Sequence, residues 1–422
     1  MSKWIEKPLA QLVTFQKGRK VDTSFFSKDG YLAYLGASGI EGRDDGYGDP
    51  RFGVIAEPSD TLMLWDGERS GLVGFGRHGV VASTVSKLSP SENIDPQYLY
   101  FFLLANFDWI QHRRTGTGVP HVPKDLGRLL NVSYPKSKAT QRKIATILAT
   151  IDTAIEQTEA LIEKYQHIKA GLMHVLFTRG VLPNGQLRPP REQAPELYQE
   201  AAIGWIPKVW RVSRLETILR NSGGHLQTGP FGSQLHAHEY QSDGIPVVMP
   251  QDINDGRIGI ESIARISEKR ALSLAKHQLK VGDIIIARRG ELSRAAAVSV
   301  TEQGWLCGTG CFLLRLGRTD LNHFFFSHIY RYDYIQRQIA GTQVGTTMPS
   351  LNNAVMGRVF FPCPTPSEQS EISTRLSKSE REIDSLKKHA EKFKLQKLGL
   401  MQDLLTGKVP VTVGAPPSEA IA

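Results

Sequence analysis

A chain of 422 residues is too long for one ordinary core and implies two to three domains. Its 40% hydrophobic and 22% charged residues are ordinary for a soluble globular protein, and a formal charge of +9 favours polyanionic partners. Three cysteines (Cys307, Cys311, Cys363) exclude a disulfide framework, and Cys307 and Cys311 have no second Cys/His pair at zinc spacing, so they read as small buried residues. The start "MSKWIEKPLAQ" lacks a signal-peptide core, and the longest apolar run, 99–107, is half of a membrane span. A cytoplasmic protein with no membrane contact is expected.

Read in chain order, the first half opens with "DGYLAYLGASGIEGR" (29–43) and "SDTLMLWDGE" (59–68), an acidic turn, a short apolar strand and a polar loop. "GFGRHG" (74–79) matches the dinucleotide fingerprint in letters only: the β-branched "VVASTVSKL" follows where a helix should open, so a turn between strands is expected. "IDPQYLYFFLLANFDWIQ" (94–111) reads as helical, and "TGTGVPHVP" (115–123) is a Gly/Thr loop closing on proline. The second half repeats this order with "DGIPVVMPQDINDGR" (243–257), "GDIIIARRGE" (282–291), "TDLNHFFFSHIYRYDYIQ" (319–336) and "VGTTMPSLN" (344–352).

Each half then carries a long heptad stripe. Ile144, Leu148, Ile151, Ile155, Thr158, Ile162, Tyr165, Lys169, Leu172 and Leu176 follow alternating steps of four and three. At an offset of 228 stand Ile372, Leu376, Ser379, Ile383, Leu386, Ala390, Phe393, Lys397, Leu400 and Leu404, with the lysine interrupting at the same place. Five heptads describe a coiled-coil seam that one helix cannot bury alone, so each helix is expected to pair with the other. The helices end in "KAGLMHVLFTRGV" (169–181) and "KLGLMQDLLTGKV" (397–409), identical at seven of thirteen positions. Thr140 and Ser367 are the expected N-caps, with stops at Gly180 and Gly407.

The expected organisation is a mixed α/β fold in two globular domains with two long antiparallel helices, a pseudo-twofold repeat. Its segments are a globular domain at 1–136, a helix at 137–180, a proline-rich linker at 181–204, a second domain at 205–364, a helix at 365–408 and a disordered tail at 409–422.

Motifs of catalysis are missing. The sequence has no G-K-[ST] phosphate loop, H-E-x-x-H, G-x-S-x-G or amino-methyltransferase tetrapeptide, and its histidines form no metal spacing. What the loops offer is donors able to reach base edges and phosphates: Arg69, Arg113, Arg114 and Lys124 in the first half, Arg288, Arg289, Arg294, Gln343, Asn352 and Asn353 in the second. A solvated basic surface is the plain alternative for any one of them; their recurrence in matching loops of diverged repeats favours two related but different targets.

Two α/β segments, each followed by a heptad helix ending in "GLM..L.T", resemble the specificity subunit of type I restriction–modification systems. The resemblance rests on "GDIIIARRGE", "GTTMPSLNN", "PTPSEQSEI" and the two helix ends. It implies one target recognition domain on each half of a split, asymmetric duplex DNA site, with the helices acting as a ruler and docking two modification subunits. S-adenosylmethionine would sit on those subunits, ATP and Mg on restriction (translocase and nuclease) subunits, and no cofactor or catalytic residue on this chain. "GTGVPHVP" and "SDTLMLWDGE" depart from the family pattern in the first half. Adding one heptad to both helices is expected to lengthen the permitted gap between half-sites, read by mapping methylated adenines; an unchanged gap sinks the ruler. Two rivals remain: a coiled-coil protein–protein adaptor, which would lack the steep salt dependence of duplex binding, and a nucleotide-binding enzyme, which NAD or S-adenosylmethionine would stabilise thermally.

Overall fold

The structure, a computed structural model, describes residues 4–116, 118–341 and 351–412. The chain forms two compact units, Met1–Ala160 with Lys387–Ala422 and Leu161–Leu386. The division passes through both long helices, Lys138–Thr178 and Pro366–Leu405, so each unit joins one globular half to parts of both.

In the first unit β1 (Trp4–Pro8) pairs antiparallel with Asn131–Pro135, the strand that leads into the first long helix. β2 (Val13–Lys17), β3 (Leu32–Leu35), β4 (Thr61–Leu64), β5 (Val73–Phe75), β6 (Gly79–Val81) and β7 (Val85–Pro90) follow. A four-stranded antiparallel sheet has the order β2-β7-β4-β5, while β3 runs parallel to β6. "GFGRHG" is the turn between β5 and β6, as its β-branched sequel requires.

The second unit repeats the plan. β8 (Arg211–Arg214) pairs with Phe360–Cys363 before the second long helix. β9 (His225–Thr228), β10 (Ile245–Val248), β11 (Ile284–Ala287), β12 (Ala295–Ala297), β13 (Leu306–Cys307) and β14 (Cys311–Arg315) give the sheet order β9-β14-β11-β12, with β10 parallel to β13. β11 is buried on both faces, which is why "DIIIA" reads as a continuous apolar run. Ile284 and Ile286 join the cluster containing Phe325 and Phe361, whereas Ile285 joins Cys307, Cys311 and Leu313 on the opposite face. Burial raises the pKa of both of those thiols.

The acidic turns of the repeat have one job. Asp60 Oδ2 accepts from the Glu57 N–H and Asp283 Oδ2 from the Lys280 N–H, each at 2.8 Å, closing the turn before β4 or β11. The helix leads share a second device. Gln141 Oε1 accepts from the Asp95 N–H (2.6 Å) while its Nε2 donates to Pro135 O (2.8 Å). Gln369 does the same with the Asn322 N–H (2.7 Å) and Pro364 O (2.8 Å). These buried amides tie the first turn of each long helix to the N-terminus of a globular helix, Pro96–Ala105 or His323–Tyr330.

Two expectations are adjusted, and a third falls mostly outside the described residues. The helix caps are Ser137 and Thr365, whose hydroxyls accept from the Thr140 and Glu368 N–H groups (3.4 Å each), rather than Thr140 and Ser367. Pro366 suits the first helical position, which leaves Thr365, the residue before it, as the cap. The 181–204 linker is partly built: Tyr198–Ala201 pairs with Gly204–Pro207 as a hairpin across the 204/205 boundary, and Arg188 is buried. Of the tail, 413–422 lies outside the described residues.

Within each unit the long helices pack antiparallel. In the first unit Asp152 pairs with Lys397 (2.6 Å) and Glu159 with Lys394 (3.0 Å); in the second Lys169 pairs with Glu380 (2.8 Å). Asp152 and Glu380 are themselves 228 apart, so each lysine that interrupts the seam meets an acid at the matching position of the facing helix. Ile144, Leu148, Leu176, Ile372, Leu376, Ile383 and Leu404 are buried, and Ile151, Ile155, Ile162, Tyr165, Leu172, Leu386, Phe393 and Leu400 half-buried. Ile144, Leu148 and Leu404 belong to the first globular core, Leu176, Ile372 and Leu376 to the second, so the seam ends inside the domains it leaves.

Candidate nucleic-acid interface

At one end of each four-stranded sheet the backbone makes the same knot. In the first unit the Gly18 N–H donates to Val85 O (2.9 Å), and a Cβ on Gly18 would strike the backbone at Ala82. In the second the Gly229 N–H donates to Cys311 O (2.9 Å), and a Cβ there would strike Gly308. The chain returning from the Gly/Thr loop closes on this end: the Val122 N–H donates to Trp65 O and the Leu351 N–H to Arg288 O, both at 2.9 Å. Trp65–Asp66 and Arg288–Arg289 thus occupy one frame position with opposite chemistry.

In the second unit this frame gathers Arg288, Arg289, Asn352 and Asn353. Arg288 is half-buried over the Phe312 ring (5.5 Å), with Nε donating to Leu351 O (3.3 Å). Burial, then repulsion from Arg289, lowers its pKa from the usual arginine value. Arg289 is exposed. Asn352 caps the short helix Asn353–Arg358, its Oδ1 accepting from the Val355 N–H (2.9 Å), and Asn353 Nδ2 donates to Leu226 O (3.0 Å). Arg294 is the most committed: Nε donates to Glu291 Oε2 (2.8 Å), and Nη1 to Asn254 Oδ1 (3.0 Å) and the Pro250 carbonyl (3.3 Å). The Arg294 bond holds the Glu291 carboxyl below its ordinary range. Gln343 lies outside the described residues.

The first unit arms its end differently. Asp66 accepts from Lys17 (2.8 Å) and contacts His121 Nδ1 (2.7 Å); burial would raise its pKa, but these two bonds outweigh it and the carboxyl falls below the usual range. Arg69 Nη1 donates to both oxygens of Glu41 (3.0 Å). Arg113 lies over the Trp109 ring (3.9 Å) with Nη1 on Trp109 O (3.2 Å), and Arg114 bonds Gln111 O (2.9 Å) and the Glu68 carbonyl. Lys124 is exposed and, with Lys17, Trp65, Phe15 and Arg128, lines a cavity of about 710 Å³. Reading by spacing missed Lys17, His121 and the Trp109 platform; only Trp109, at the end of a helical run, left a visible signal.

Among the described residues, no three His, Cys, Asp or Glu side chains gather as metal ligands, and no helix is long and apolar enough to cross a membrane. The family model of the type I restriction modification DNA specificity domain matches residues 1–165 and 227–395, most of the chain. The chain belongs to this family. As a member of the DNA specificity family it is similar to the type I restriction enzyme MjaVIII specificity subunit of Methanocaldococcus jannaschii, 26% identical over 365 residues that cover 85% of this chain and 81% of that protein. It is also similar to the type I restriction enzyme EcoBI specificity subunit of Escherichia coli, 20% identical over 84% of this chain and 73% of that one. The crystal structure of the type I restriction–modification S subunit from M. genitalium shares the fold with a TM-score of 0.64 at 17% identity, covering 96% of each chain. A chain from a structure of a type I system, solved to explain complex assembly and conformational transition, has a TM-score of 0.50 at 14% identity over 96% of this chain and 98% of that one.

Proposed function

We propose that this chain is the DNA-reading subunit of a type I restriction–modification complex, with each globular half reading one part of a bipartite, asymmetric duplex site. The observation that supports this reading is the repeated frame with unlike side chains: one backbone bond fixes both Trp65–Asp66 and Arg288–Arg289 at corresponding sheet ends. A shared scaffold positions, and the differing donors specify. The chemistry belongs to partners. Two modification subunits carry S-adenosylmethionine and methylate an adenine turned out of the stack, and restriction subunits use ATP and Mg; both dock through the long helices. The complex works in the cytoplasm. The segments at 1–136 and 205–364 serve as target recognition domains.

The deciding experiment maps methylated adenines in DNA from cells with and without this chain. Loss of one bipartite motif is expected; an unchanged methylome overturns the reading. Among the candidate contacts, exposed Arg289 is the best placed to reach a base, Arg288 and Arg294 being partly held by carbonyls. Arg289→Ala is expected to cost ~1–3 kcal/mol of binding and to relax only the half-site met by the second domain. A uniform loss on every sequence identifies a phosphate contact instead.

A further inference from the structure

We propose that Phe231 is a wedge that enters a base step of the DNA half-site read by the second domain. This rests on the DNA-reading function above. Phe231 is 57% exposed in a turn held at both its ends. Its N–H donates to Gln234 Oε1 (3.1 Å), and its carbonyl accepts from the Gln234 and Leu235 N–H groups (2.8 and 3.1 Å). Leu235 is buried on one side. On the other, Thr309 Oγ1 donates to Pro230 O (2.9 Å) and the Gly229 N–H to Cys311 O.

The same 309–311 segment also carries the Arg288 N–H, which donates to Gly310 O (2.8 Å), so the ring shares one sheet end with Arg288 and Arg289. A solvent-facing aromatic on a hydrogen-bonded backbone, at the same sheet end as paired cations, suits a polyanion with π-faces: the cations hold phosphate or base edges while the ring stacks in an opened step. That charge selects duplex DNA over an apolar protein surface. The first half presents Phe25 (91% exposed) and Phe26 (84%) between Gly18 and Gly30, as Phe231 stands between Gly229 and Gly244.

The test uses the full chain with its modification subunits and two duplexes of equal length, one carrying the motif found by methylation mapping, the other unrelated. 2-Aminopurine replaces, in turn, each adenine of the second half-site other than the methylated one, which the modification subunits themselves turn out of the stack. In the unsubstituted protein one position is expected to brighten on binding. Phe231→Ala should abolish that signal and weaken the motif duplex about 10- to 100-fold, with the unrelated duplex, the salt slope and the melting midpoint unchanged; Phe231→Trp should retain affinity. Wild-type affinity in Phe231→Ala, equal losses on both duplexes, or loss of co-purifying subunits with DNA binding intact each overturn the wedge. If the unsubstituted complex fails to distinguish the duplexes, the DNA-reading function itself fails, a different outcome from an inert Phe231.

Discussion

Glu368→Gln is expected to destabilise the fold by ~3–5 kcal/mol, seen as a lower chemical-unfolding midpoint with an unchanged slope. Glu368 lies in the first turn of the second long helix and is almost wholly buried, as is Arg188. Its Oε2 accepts from Arg188 Nη2 and from Trp210 Nε1, both at 3.0 Å, and its Oε1 accepts from Arg188 Nη1 and from the Val181 N–H (2.8 Å). The carboxylate therefore joins the end of one long helix, the chain leaving it and the entrance to the second domain. The left-handed Gly180 that stops the first helix has no room for a Cβ, which would run into Glu368, Arg188 and Trp210. Removing the acid alone strands a buried guanidinium, whereas replacing both partners with apolar residues removes the charge problem. Arg188→Met combined with Glu368→Leu should accordingly recover most of the loss. If the single variant unfolds like the parent, Arg188 has a solvent route that the burial denies.

Between pH 6.5 and about 4 the protein is expected to lose roughly 3 kcal/mol of stability through one buried histidine. Burial above all pushes the His328 pKa down to about 4, Arg331 and Lys169 adding to the fall and Glu380 opposing it. Its Nδ1 faces Arg331 Nη2 (2.8 Å), which can only donate, so the neutral ring accepts there and presents Nε2 to Ser377 Oγ (3.3 Å). The sign follows from proton counting. Below pH 6.5 the unfolded chain binds a proton that the folded site refuses until about 4, so this stability is complete above 6.5 and drains as pH falls through the window. Glu380 adds a second, more acidic loss. Burial would raise its pKa, but its charged neighbours prevail and hold the carboxyl low; since His328 is neutral near pH 7, Lys169 and Arg331 (2.8 Å each) are the neighbours that act there. Denaturant midpoints measured from pH 7 to 4 should fall with a slope approaching one proton, and His328→Gln should flatten that stretch. An unaltered profile in the variant places the lost protons elsewhere.

The repeat was the most legible part of the molecule. A seam with a period of 3.5 residues, a glycine stop and a proline lead are local signals, and Ile144–Leu176 with Ile372–Leu404 emerge buried or half-buried along their whole length. The acidic turns at Asp60 and Asp283 also show in sequence, because the bond each makes closes within three residues. Within the linker, proline composition reports where a helix stops and says nothing of Arg188 reaching Glu368 across 180 positions.

The cation-rich loops were visible in sequence; the partners of their side chains were not. Arg294 reaches Asn254, forty residues earlier, and Arg69 reaches Glu41 across twenty-eight. A long flexible cation takes its partner from whatever the fold brings near, and no spacing records that choice. The sequence by itself determined the repeated frame, because helical and turn periodicities act between near neighbours. Only the tertiary structure decided which cations are held by carbonyls and acids and which, like Arg289, stand in solvent at the sheet end, because side-chain partnership at long range is set by packing.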